Sequence, residues 1–143
     1  MKRILYLIVF VSCLIPMQTK AQMRMINRTT FVNQIYPNME KPTILLFGRE
    51  SCPATAKART LVLQRLAPKY SKYVDFFYIN VDIYENKQWL FSYNDEYFRF
   101  VFLPGWVLLD GSCDDDDVYY RMSGAPKQEE AEEIIEDLID YAY

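Results

Sequence analysis

Two apolar, β-favouring runs separated by a long amphipathic stretch constrain the fold of this chain more than any other feature. Thr43-Ile44-Leu45-Leu46-Phe47-Gly48 is a continuous run of the kind found in a central strand covered on both faces. Val74 to Asp82, reading Val-Asp-Phe-Phe-Tyr-Ile-Asn-Val-Asp, is a second strand. Between them, Pro53 to about Tyr70 has helical character, with Ala56, Leu63, Leu66 and Ala67 expected on the inner face and Lys57, Arg59 and Arg65 available to solvent. Pro53 suits a first helical position, where the missing N–H would have had no partner. Pro68 ends or kinks the helix near its tail. Strand, helix, strand in this order requires parallel strands joined by a crossover.

The rest of the chain adds elements around that unit. Gln22 to about Asn27 shows no pattern and reads as a mobile lead-in; Thr29 to Tyr36 reads as a short helix with Phe31, Ile35 and Tyr36 inward, stopped by Pro37. Glu85 to Phe102 is crowded with rings, and Trp89, Tyr93, Tyr97 and Phe100 are at helical spacing. Most of these rings are expected in the core, with a minority, Trp106 included, lining an apolar groove. After Leu103-Pro104-Gly105, the segments Trp106 to Leu109 and Val118 to Met122 flank a turn and read as an antiparallel hairpin. Lys127 to Ala142 closes the chain as an amphipathic helix, its opening glutamates complementing the helix dipole.

The ends and the composition bound the function. Met1-Lys2-Arg3, the apolar run Ile4 to Ile15 and the small residues Thr19 and Ala21 make residues 1–21 a secretory leader, with cleavage expected after Ala21. The competing reading makes Cys13 a lipidated cysteine, the one route by which this chain would meet a membrane. Residues 22–143 then form one domain, exported to the periplasm or secreted. Cleavage removes Lys2, Arg3 and Lys20 and no acid, taking the formal charge from -3 to -6. An acidic domain without a basic patch is a poor partner for nucleic acid. The chain has 0 histidines, which excludes Cys-His and Ser-His nucleophile pairs and histidine-ligated metal. No metal and no cofactor are expected.

Cys52 carries the chemistry. It stands where the first strand passes through Arg49-Glu50-Ser51 into the helix opened by Pro53. A helix start directs unpaired N–H groups and a positive dipole end outward, which favours thiolate over thiol. Arg49 and Lys57 act in the same direction, and Glu50 against it. A dithiol motif would place a second cysteine three residues on, where this chain has Thr55, whose hydroxyl is within one turn of the sulfur. Cys113, in the hairpin turn, reads as an exposed spare thiol. Asp114 to Asp117 reads as a solvated turn, without the ligand spacing of a calcium loop.

Taken in order, the strand leading into Cys52, Leu103-Pro104 directly before a strand ending Leu108-Leu109-Asp110-Gly111, and the closing hairpin and helix joined by Ser123-Gly124-Ala125 resemble the thioredoxin fold. The resemblance spans the chain from about residue 27 and implies an α/β domain: a central mixed sheet, built from a βαβ unit and a hairpin, flanked by helices. It implies a cis peptide at Pro104 that lets Leu103 pair with extended substrate beside Cys52, with Trp106 nearby. Three departures stand out. Thr55 replaces the resolving cysteine, Ser51 the tryptophan common before the motif, and Leu46 the buried aspartate that exchanges protons with that cysteine. The expected activity is thiol–disulfide exchange with protein or peptide thiols through Cys52, tuned by Thr55, as an oxidoreductase or isomerase without a resolving cysteine. The alternatives are a non-catalytic scaffold that binds a peptide or protein, and a thiol peroxidase, for which the accompanying tryptophan and glutamine constellation is missing.

Overall fold

The computed structural model describes residues 22–92, 102–114 and 116–143. The leader of residues 1–21, Cys13 and the rings Tyr93, Tyr97, Phe98 and Phe100 lie outside the described residues, as do the side chains of Trp89 and Phe91. Among the described residues no helix is long and apolar enough to cross a membrane.

Among the described residues five strands form one sheet in the order β1-β3-β2-β4-β5. β1 (Arg24–Met25) and β2 (Thr43–Gly48) both run parallel to β3 (Asp75–Asn80), whereas β4 (Gly105–Leu109) is antiparallel to β2 and to β5 (Val118–Ser123). β2 is buried at every position because helices cover both faces of the sheet. Its side chains alternate between two cores. Ile44 and Leu46 join Phe76, Tyr78, Trp106 and Leu108 on one face; Leu45 and Phe47 join Phe77, Ile79, Val107 and Leu109 on the other. Each large apolar side chain so buried contributes about 1.5–3 kcal/mol of transfer free energy.

On the first face lie α2 (Pro53–Leu61), its continuation through a π-helical turn at Val62–Leu66 into α3 (Ala67–Tyr70), and α5 (Gln128–Ala142). The inner stripe of the long helix is Thr55, Ala58, Val62, Leu66, Ala67 and Tyr70. This corrects the expected face at two positions, since Ala56 is exposed and Leu63 is 42% exposed. The wide turn adds a residue to its repeat, so Ala58, Val62, Leu66 and Tyr70, four apart, stay in phase with the sheet. Pro68 sits in the helix just after this turn and does not end it.

On the second face, α1 (Arg28–Thr30) continues through a π-helical turn (Phe31–Ile35) and a 3-10 turn (Tyr36–Asn38), so Pro37 lies inside the last turn instead of stopping the helix before it. Asn27 caps α1, its side chain accepting from the Thr30 N–H at 2.8 Å. The preceding residues are not a loose lead-in. Arg24 and Met25 pair with Phe77 and Tyr78 as an edge strand, an element too short to leave any period in the sequence. Asn86, on α4 (Tyr84–Ser92), is fully buried and joins three elements: it donates to Asn80 O at 2.8 Å and accepts from the Arg28 N–H at 3.0 Å.

Candidate thiol site

Cys52 is the N-cap of α2, with extended backbone (φ -90°, ψ 117°) and Pro53 at the first helical position. Its N–H donates to Arg49 O at 3.2 Å, closing the turn that leaves β2, and its carbonyl accepts the Ala56 N–H at 3.0 Å. The side chain is half-buried. In the thiol form the sulfur makes no capping hydrogen bond of ordinary geometry, yet its surroundings favour the anion. The Thr55 hydroxyl, then the Thr55 N–H, hold the Cys52 thiol below its ordinary range, with smaller help from the Ala54 N–H and the Arg49 charge, against a partial desolvation cost.

Thr55 is itself fixed. It is 1% exposed, and its oxygen accepts the Arg49 N–H at 3.3 Å, which leaves its own proton to turn towards the sulfur. The side chain also fills the space over Gly48, where a Cβ would come within 2.3 Å of Thr55 Cγ2. Gly48 is thus a site residue that the sequence reading passed over. A glycine ending an apolar strand just before the reactive cysteine was the available signal.

The flanking charges are largely paired among themselves. Glu50 accepts two hydrogen bonds from Arg59 Nη1, at 2.9 and 3.0 Å, so it opposes the thiolate less than its position suggests. The Nε of Arg49 lies 3.6 Å from Asp82, which also accepts the Glu50 N–H at 3.3 Å. Arg59 lies over the ring of Tyr78 at 4.4 Å, and burial, followed by the Glu50 charge, pushes the Tyr78 phenol up to about 12. Tyr78 is opposite Leu46 in the β2–β3 register, so a neutral phenol and an alkyl chain lie side by side on the face of the sheet that the long helix covers.

The register gathers the other expected elements at the same end of the sheet. Phe47 is opposite Gly105, and Gly105 is opposite Ser123, so the β2–α2 junction, the segment before β4 and the end of β5 adjoin. The Leu103–Pro104 peptide is cis. Gly124, at φ +91°, clasps this region: its N–H donates to Pro104 O at 2.7 Å and its carbonyl accepts the Trp106 Nε1–H at 2.8 Å. A Cβ at Gly124 would stand 3.3 Å from the Phe102 ring, and Phe102 is 59% exposed. Leu103 is half-buried and Pro104 buried.

Trp106 corrects an expectation. Its ring is fully buried in the core that carries α2 and α5, and its one donor is spent on Gly124, so it shapes the loop from beneath and offers no face to a groove. Phe102, from the stretch whose rings are expected mostly in the core, is an exposed ring among the described residues at this end.

Cys113 lies at the opposite end of the sheet, beyond the Thr43–Leu109 register pair. It too departs from expectation. It is half-buried with φ +58°, its thiol donates to Tyr36 O at 3.1 Å, and burial raises its pKa. Among the described residues no disulfide is present, and both cysteines are free thiols. The adjacent acidic turn is not wholly solvated either: Asp117 is buried, and its Oδ2 has no hydrogen-bond partner among the described residues. Also among them, no three acidic or cysteine side chains converge on a metal-sized position.

The arrangement of strands and helices is met in solved structures. Spinach chloroplast thioredoxin f superposes in its short form with a TM-score of 0.63 at 19% identity, covering 82% of this chain and 94% of that one. The chain has the thioredoxin fold. Chloroplastic thioredoxin z gives a TM-score of 0.64 at 18% identity over 82% of this chain and 94% of its own. The long form of thioredoxin f gives 0.62 at 21% over 83% and 88%. No protein-family model and no curated protein sequence matches the chain. On the thioredoxin fold, β2, α2 and the cis-proline segment of this protein carry one cysteine with a threonine where a dithiol would have its second sulfur.

Proposed function

We propose that this protein is an exported monothiol thioredoxin-fold protein that exchanges disulfides with protein or peptide thiols through Cys52. The observation that carries the reading is the placement of Cys52 at the mouth of α2, with the Thr55 hydroxyl and N–H holding its thiol below the ordinary range. The Cys52 thiolate attacks one sulfur of a substrate disulfide; a Cys52–substrate disulfide forms and the other substrate sulfur leaves as a thiolate. With Thr55 in place of a resolving cysteine, release comes from outside the motif. A second cysteine of the substrate, a small thiol of the glutathione class or another protein attacks the mixed disulfide and returns Cys52 as thiolate. Shuffling of disulfides is compatible with this cycle; net reduction by the domain alone is not. Leu103 and Pro104 are the backbone against which an extended substrate lies, and Phe102 is the exposed ring beside it. Export rests on the leader of residues 1–21.

A second reading, a binding module without catalysis, is favoured by the clasp whose hydrogen bonds tie Pro104 and Trp106 to Gly124 without involving the sulfur. Alkylation of Cys52 as a function of pH, with Cys52→Ser as the blank, separates the two when combined with trapping of mixed disulfides in the exporting cell. The exchange reading expects a midpoint below the ordinary ~8.5 of a free thiol and covalent partners lost in the serine variant. An ordinary midpoint and no trapped partner would establish the binding module instead.

A further inference from the structure

We propose that Gln22, as the first residue of the processed chain, closes into a pyroglutamyl lactam that protects the edge of the sheet. The inference rests on the leader reading, in which cleavage after Ala21 frees the α-amine of Gln22. A glutamine in that position holds its own side-chain amide carbon at the distance of a five-membered ring. The α-nitrogen attacks Cδ, the Cδ–Nε2 bond breaks, and ammonia leaves carrying the proton given up by the amine. Oxidation states do not change and no co-reactant is consumed.

The structure supplies both the freedom to react and the consequence. Gln22 is exposed and outside β1, beside Arg24, Asp75, Phe76 and Phe77 at the rim of an open hollow of about 340 Å³. Only Met23 separates it from β1, which is two residues long. Among the described residues that short strand is all that pairs the outer edge of β3: Arg24 lies opposite Phe77, Met25 opposite Tyr78, and the Ile26 N–H donates to Tyr78 O at 2.9 Å. The Arg24 guanidinium also covers the Phe77 ring at 5.2 Å. Trimming three residues from a free amine would remove Arg24 and begin to bare an edge that carries Phe76, Phe77 and Tyr78, the kind of edge that recruits another strand. A lactam denies an aminopeptidase its α-amine and removes a positive charge beside Arg24.

The test uses the full chain, wild type and Gln22→Ser, exported from a host that removes leaders and held at neutral pH until its intact mass is constant. Wild type is expected at the mass of residues 22–143 less about 17 Da, the ammonia lost, and the serine variant at its full mass. Aminopeptidase is expected to shorten the variant and spare the wild type. A mature chain that begins at Gln22 and keeps its full mass overturns the lactam and leaves the leader reading standing. A chain that begins elsewhere or retains residues 1–21 overturns both, and equal trimming of the two proteins overturns the protective role.

Discussion

Thr55 does at residue scale what neither its burial nor its hydroxyl would do alone. Held between the Arg49 N–H and the space above Gly48, it has one orientation in which its proton faces the sulfur. Thr55→Val keeps the shape and removes that donor, so the alkylation midpoint of Cys52 is expected to rise, while stability falls by about 1 kcal/mol for the orphaned Arg49 N–H. The sign of the linkage follows. A thiol depressed in the folded state adds stability above its unfolded pKa of ~8.5 and loses it as pH falls through the folded value. Asp117 works in the opposite sense: burial first, then Asp110 and Asp114, raise its pKa, so the stability it contributes is present below the unfolded ~3.9 and is lost as pH rises through the folded value. Asp117→Asn is therefore expected to flatten the urea-unfolding profile across the acid range and to exceed wild type near pH 7 by roughly 1 kcal/mol. A variant that is weaker than wild type at pH 7 would contradict this account.

At the scale of elements, the site is two substructures meeting at one end of the sheet. The β2–α2 junction provides the thiol; the cis-proline segment and the β5–α5 turn provide the surface beside it, joined through Gly124. Gly124→Ala meets two obstacles, a left-handed backbone and the Phe102 ring, and is expected to cost about 1–2 kcal/mol for the backbone alone. Because neither hydrogen bond of the clasp involves Cys52, the alkylation midpoint should stay where it is while peptide exchange slows. A midpoint that moved with the exchange rate would show the two substructures to be one. Much of this was legible in sequence: the cysteine at a strand-to-helix junction, the Leu103-Pro104 pair before a strand, and the antiparallel hairpin all leave local signatures. Trp106 did not, because an aromatic in a buried strand and one beside a groove look alike until the partner of its indole N–H is known. Helix phase was misjudged at Ala56 and Leu63 for a related reason, since nothing local announces a π-helical turn.

At the scale of the molecule, the two free sulfurs at opposite ends of the sheet imply that no disulfide among the described residues contributes to stability. Urea midpoints with and without dithiothreitol are expected to coincide; a drop of about 4 kcal/mol on reduction, as for a long closed loop, would reveal a Cys52–Cys113 bridge. The architecture itself was written in short-range pattern: two-sided apolar runs require a covered sheet, and the crossover between β2 and β3 requires parallel pairing. Composition likewise removed histidine chemistry outright. Three-dimensional packing alone decided which distant groups meet. The pairing of Glu50 with Arg59, the neutral Leu46–Tyr78 layer, the edge strand at Arg24–Met25 and the burial of Trp106 and Asp117 all join residues far apart in the chain. Contacts of that range leave no periodicity behind, because they are set by how the elements dock and not by the order of residues within any one of them.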